Sequence, residues 1–169
     1  MSLDRDAEPP GSGPEARLAA LGLTLPKVSR PLAAYVPAVL TRGYVYTAGQ
    51  LPVVEGQLLA TGKVGAEIGA VEASALARTC ALNALAAVAS VTGGLDAVRR
   101  IVKVTGFVAS APNFTQQAQV VNGASELLIE VFGEAGRHAR SAVGMAVLPL
   151  DAPVEVELIA EVRDTEVRD

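Results

Sequence analysis

Arg137-His-Ala-Arg140-Ser-Ala-Val-Gly-Met-Ala-Val-Leu-Pro149-Leu-Asp-Ala-Pro153-Val-Glu-Val-Glu-Leu-Ile-Ala160 carries two strand patterns in succession. Ser141 to Leu148 is almost wholly apolar and predicts a strand buried on both faces. Val154, Val156, Leu158, Ala160 and Val162 alternate with Glu155, Glu157, Ile159, Glu161 and Arg163. That period of two predicts a strand with its carboxylates on one face. If the two strands form a hairpin about Asp151, Arg140 lies opposite Glu161. At about 3.3 Å per residue, Glu155 is then roughly 20 Å from Arg140 in the same chain. A guanidinium keeps its charge and is costly to desolvate unpaired. Arg140 at the mouth of an apolar strand therefore calls for an anion. Glu161 can be a structural partner within the chain, and Glu155 can approach only from a neighbouring subunit. The alternative is the carboxylate of a small substrate, held in the planar fork by two parallel hydrogen bonds.

Upstream, the pattern alternates between strands and helices. Residues 1–13 are charged or rich in Pro and Gly and read as a flexible tail, leaving 14–169 as a single domain. Pro14 to Leu21 predicts a short helix with Pro14 in its first turn and Gly22 as its stop. Pro26 and Pro31 bracket a connector. Ala34–Leu40 and Tyr44–Thr47 read as strands joined by a turn at Thr41-Arg-Gly43. Leu58–Ala60 reads as a third, short strand after a turn at Glu55-Gly-Gln57. Ala70 to Val91 predicts the longest helix, ended by Thr92-Gly-Gly94. Ile101–Val108 is the next strand, and Phe114–Phe132 the next helix, with Asn113 as its cap. After the leading helix the order is β-β-β-α-β-α-β-β: an α+β domain whose two helices cover one sheet face. No further element is left to cover the other face, so self-association is expected.

Composition narrows the function. The chain has 169 residues, of which 50% are hydrophobic and 19% charged. So apolar a surface points to burial between subunits. A net charge of −4, with no basic stretch interleaved with aromatics, gives no electrostatic attraction to nucleic acid. A single cysteine precludes an internal disulfide and fits a reducing compartment. No uninterrupted apolar run spans a bilayer and no leader opens the chain, so a cytoplasmic location and no membrane partner are expected.

The remaining chemistry-bearing residues are few. His138, the single histidine, sits in a glycine-flanked loop where it can shuttle protons near neutral pH or make one backbone bond. Tyr35 precedes an apolar strand. Gly49, in Thr47-Ala-Gly-Gln-Leu-Pro52, either marks a bulge or lets a ligand approach backbone N–H groups. Asn122 lies inside a helix, as a solvent-facing amide or a purposeful polar contact. Cys80 reads as a small hydrophobe, with nothing near it in sequence to activate a thiol. One His and one Cys far apart make no metal site, and Gly62, Gly65 and Gly69 have no phosphate-cradle spacing, so no metal and no cofactor are expected.

The chain resembles the Rid family of reactive-intermediate deaminases, also called YjgF. The resemblance rests on Tyr44-Val-Tyr-Thr-Ala-Gly-Gln-Leu-Pro52, Ile101-Val-Lys-Val-Thr-Gly-Phe-Val108 and Asn113-Phe114. It is strongest in Ala139-Arg-Ser-Ala-Val143, Leu148-Pro149 and Val154-Glu-Val-Glu-Leu-Ile-Ala160. It implies a chorismate-mutase-like fold, a homotrimer and sites in the clefts between subunits. It implies hydrolysis of 2-imino acids, or their enamine tautomers, to 2-keto acids and ammonia without a cofactor. The family's carboxylate-gripping arginine falls on Arg140, and its water-holding acidic residue on Glu155. Its substrate-binding positions fall on Tyr35, Gly49, Asn122 and Ala142. Ala48 stands where the best-known members carry serine, and Ala142 where cysteine is common. Those departures, with the leading helix and Gly136-Arg-His138, mark a divergent branch. Two other functions compete: a non-catalytic trimeric sensor of small carboxylates, and the endoribonuclease activity ascribed to some relatives.

Overall fold

The computed structural model describes residues 13–28 and 34–163. The flexible tail expected for residues 1–13 lies outside them apart from Gly13, as does Pro31 of the connector. The chain runs α1 (Pro14–Ala20), β1 (Ala38–Thr41), β2 (Tyr44–Thr47), β3 (Val53–Val54), β4 (Gln57–Leu58) and α2 (Ala70–Thr92). It continues through β5 (Val98–Ala109), α3 (Gln117–Phe132), β6 (Ala139–Met145) and β7 (Val154–Val162). Five strands form one mixed sheet in the order β1-β2-β7-β5-β6, and β3 and β4 pair in a separate ribbon. The α+β class stands as expected. The third strand is displaced: it is Gln57–Leu58, paired with Val53–Val54 and outside the main sheet.

The β1–β2 turn needs two consecutive left-handed residues, supplied by Arg42 (φ 48°) and Gly43 (φ 79°). Helix α2 ends where Gly93 turns left-handed, as its sequence predicts. Asn113 does not cap α3, which starts later, after Gln116 and without a side-chain cap. Helix α2 is long and apolar enough to cross a bilayer by length and composition alone. Here it is instead a core helix, with Ala73, Ala77, Ala81, Ala84 and Val88 inaccessible. Its small side chains let it lie close to the sheet. The core gathers these residues with Val104, Val108, Val121, Leu127, Leu128, Val156 and Leu158.

The hairpin expected between the last two strands does not form. β5 lies between them, parallel to β6 and antiparallel to β7. Helix α3 is the crossover from β5 to β6, which a parallel pair requires. A 3-10 turn at Pro149–Asp151, with Leu150 and Asp151 at φ 57° and 58°, then carries the chain across to the far side of β5. The apolar run after Arg140 is consequently an edge strand, not one buried on both faces. Val143 is 42% and Val147 69% exposed.

The two sheet faces differ. Val154, Val156, Leu158 and Ala160 of β7 point under the helices and are buried. Glu155, Glu157, Ile159 and Glu161 point the other way. By register they share that open face with Tyr44 and Tyr46 on β2, Val39 on β1 and Phe107 on β5. Near Phe107, Leu51, Leu58, Leu148 and Ala152 pack over one end of this face, and no described helix or strand covers the rest.

Candidate functional site

Arg140 is the second residue of β6 and pairs in register with Val104, which pairs with Leu158. Both are buried beneath the helices, so the guanidinium lies on the helix side, against α3. It donates from Nη1 to Asn122 Oδ1 (2.8 Å) and Ser125 Oγ (3.0 Å). It donates from Nη2 to the carbonyl of Ala118 (3.2 Å). Ala118, Asn122 and Ser125 are spaced i, i+4 and i+7, so they form one stripe of α3. Glu161, the partner expected from a hairpin, instead accepts from Arg99 (3.2 Å). Arg140 meets no carboxylate among the described residues. Three of its five N–H groups are committed to neutral oxygens. The Nε hydrogen and one on Nη2 have no partner among the described residues. Two such adjacent donors are what a carboxylate can grip.

His138 extends this arrangement. Its Nδ1 lies 2.6 Å from the carbonyl of Gly136, and its Nε2 lies 3.0 Å from Ser125 Oγ. Burial is the main influence pushing the imidazole pKa below its ordinary value. The Gly136 carbonyl opposes that and the nearby Arg140 charge adds to it. Ser125 was not singled out from the sequence. Its signal was its place three residues after Asn122 on the same stripe of the helix. That signal has meaning only once the helix is known to face Arg140.

Glu155 occupies different ground. It pairs with Phe107 on the open face of the sheet, half-buried. The bridge between Gln50 and Val156 brings Gly49 against it. A Cβ on Gly49 would fall 1.7 Å from Glu155 Oε1, so only glycine leaves the carboxylate its place. Glu155 accepts no hydrogen bond among the described residues. Desolvation, followed by the charge of Glu157, pushes its pKa above the ordinary carboxylate value.

Arg140 and Glu155 do not meet in one chain. Two strand spacings and three residues of rise separate their Cα atoms by about 14 Å, on opposite faces. That is less than the hairpin distance but equally beyond contact. Ala142 is on the Arg140 side, packed against the core. Tyr35 stands before β1, 52% exposed, and hydrogen-bonds to no described residue. Cys80 is fully buried, which drives its thiol pKa well up, and its Sγ lies 3.7 Å from the Val154 carbonyl. It is the small hydrophobe its sequence context suggests.

Comparison with known proteins places this architecture. Residues 15–162 match the family described as "YjgF/chorismate_mutase-like, putative endoribonuclease". Protein TCP17 of Trypanosoma cruzi is 43% identical over 150 residues, 88% of this chain and 94% of that protein. The crystal structure of Atu1372 from Agrobacterium tumefaciens, of unknown function, is 46% identical with a TM-score of 0.82. That match covers 89% of this chain and 92% of the other. The E. coli protein TdcF, in a crystal structure with bound serine, is 25% identical with a TM-score of 0.60. It covers 83% of this chain and 94% of its own. With its sheet, crossover helix and Arg-Ser and Val-Glu-Val-Glu segments in register, this chain belongs to the YjgF/chorismate mutase-like family.

Proposed function

We propose that this protein is a cytoplasmic, cofactor-independent deaminase. It hydrolyses reactive 2-imino acids and their enamine tautomers to 2-keto acids and ammonia. The reading is carried by Arg140, a fixed cation held by three neutral oxygens, with two N–H donors that have no partner among the described residues. The substrate carboxylate accepts from those two donors. Glu155 and Gly49 reach it from a neighbouring subunit of a homotrimer, since they lie too far from Arg140 in their own chain. The bound serine of TdcF, a small 2-amino acid, supports the same ligand class.

The chemistry asks little of the protein. A protonated imine is already electrophilic, so orienting it beside a water in a dry cleft supplies most of the acceleration. Glu155 accepts a proton as the water oxygen bonds to the imine carbon. Glu155 then returns its proton to the nitrogen of the aminocarbinol, the C–N bond breaks as the hydroxyl becomes the carbonyl, and the hydroxyl proton leaves on the departing nitrogen. One protonated imine and one water give one keto acid and one ammonium. Tyr35, Asn122 and the backbone at Ala142 complete the pocket.

The test is ammonia release from an imine generated in situ by oxidation of an amino acid. Arg140→Ala is expected to lower kcat/KM at least 100-fold, the scale of a lost charge-assisted bidentate contact. Hydrolysis by Arg140→Ala at the parent rate overturns the proposal. Ala48 and Ala142, which lack the hydroxyl and thiol of the best-known members, favour one other reading: a trimeric sensor of small carboxylates. It predicts saturable 2-keto acid binding without turnover. The endoribonuclease activity in the family's description predicts RNA cleavage that disappears with Arg140→Ala. The acidic charge balance weighs against it.

A further inference from the structure

With a neutral imidazole, the oxygens and nitrogens around Arg140 admit a single arrangement of protons. The Gly136 carbonyl only accepts, so His138 Nδ1 carries its hydrogen and donates it across 2.6 Å. A guanidinium only donates, so Ser125 Oγ accepts from Arg140 Nη1 at 3.0 Å. The one hydroxyl hydrogen of Ser125 is then directed to His138 Nε2, 3.0 Å away, where a neutral imidazole presents its lone pair. The chain of donors runs from Arg140 through Ser125 and His138 to Gly136. Its far end is anchored, because a Cβ on Gly136 would lie 2.2 Å from the Leu128 carbonyl of α3. Both ends of the chain therefore return to the same helix.

We propose that Ser125 and His138 are positioning residues that fix the Arg140 fork for a carboxylate ligand, with a neutral, Nδ1-protonated imidazole as the keystone. This rests on the carboxylate-clamp reading of Arg140. A second proton on His138 breaks the arrangement. Nε2 becomes a donor, the Ser125–His138 bond reverses so that the serine oxygen accepts from both sides and its hydrogen turns away, and two cations sit side by side. Several other titratable groups lie near His138. Arg137, paired with Glu134 at 2.9 Å, lies in the preceding turn. Arg100 of β5, Glu161 of β7 and Tyr44 of β2 share with it an open cavity of about 470 Å³. Carboxylate affinity is accordingly expected to weaken in acid, below the ordinary histidine range.

The experiment measures pyruvate affinity by calorimetry across pH 5–8 and the imidazole ¹⁵N spectrum of the whole protein. Ser125→Ala is expected to weaken pyruvate binding about ten-fold, the scale of one hydrogen bond to a charged group. Ser125→Thr, which keeps the hydroxyl, is expected to restore it. His138→Ala is expected to bind weakly with no acid limb. The parent's spectrum is expected to show the Nδ1–H tautomer, and Ser125→Ala a mixture. If Ser125→Ala and His138→Ala match the parent in affinity and pH dependence while Arg140→Ala fails to bind, the positioning role is overturned and the clamp stands. If Arg140→Ala binds pyruvate like the parent, the clamp itself falls and the positioning role with it. An Nε2–H tautomer in the parent also overturns the positioning role.

Discussion

Glu155 shows how one residue's surroundings set its chemistry. Its carboxylate is half-buried, receives no hydrogen bond from a described residue and stands beside Glu157, so the charged form is disfavoured. A carboxylate that takes a proton from water must first be ionised. Activity on the proposed function therefore rises with pH through a Glu155 pKa displaced above the ordinary carboxylate value. The kcat–pH profile of the parent is expected to show that acidic limb, and Glu155→Gln to lose both the limb and at least ten-fold of the rate. A limb unchanged in Glu155→Gln assigns it to another group. Most of these residues were visible as candidates in the sequence, and Asn122 is the purposeful contact that one reading allowed. The roles of Ser125 and His138 were not visible, because hydrogen-bond direction depends on which side chains face each other.

Among the elements, α3 determines most about the site, because it supplies Ala118, Asn122 and Ser125 to Arg140. Two glycines let it lie flush. A Cβ on Gly123 would fall 1.9 Å from the Ser74 carbonyl of α2, and one on Gly106 of β5 would fall 2.3 Å from Val121. The obstacle at Gly123 is backbone, which cannot swing aside. Gly123→Ala is expected to cost about 1–3 kcal/mol in urea unfolding, the range for overpacking. It should also weaken pyruvate binding, since α3 must move relative to β6. Unchanged stability would mean that α2 and α3 are less closely seated than described. The helical pattern of α3 was plain in the sequence. Its start was misplaced because Asn113 has the chemistry of a cap, whereas the chain turns once more before the helix begins.

For the whole molecule, the open sheet face is the outstanding feature. Val39 is 50% and Tyr46 46% exposed, beside Ile159, and no described element lies over them. A trimer closing on this face, as the proposed function requires, would bury it together with Glu155. Tyr46→Glu is expected to shift sedimentation equilibrium from trimer to monomer and to remove imine hydrolysis with it. A monomeric variant that retains full activity would place the whole site in one chain, against the proposed function.

The sequence alone determined the elements and their faces, because side-chain periodicity is local: six of the seven strands near their predicted places, two long helices, and a last strand with its carboxylates turned from the core. It also isolated Arg140 as a cation in need of an anion. Only the tertiary structure decided the neighbours. Whether β6 pairs with β7 or with β5 depends on where a 3-10 turn and a crossover helix send the chain, and local pattern does not encode that. The partner of Arg140 depends on that strand order. With β5 interposed, the guanidinium faces α3 and its neutral oxygens, and Glu161 pairs with Arg99.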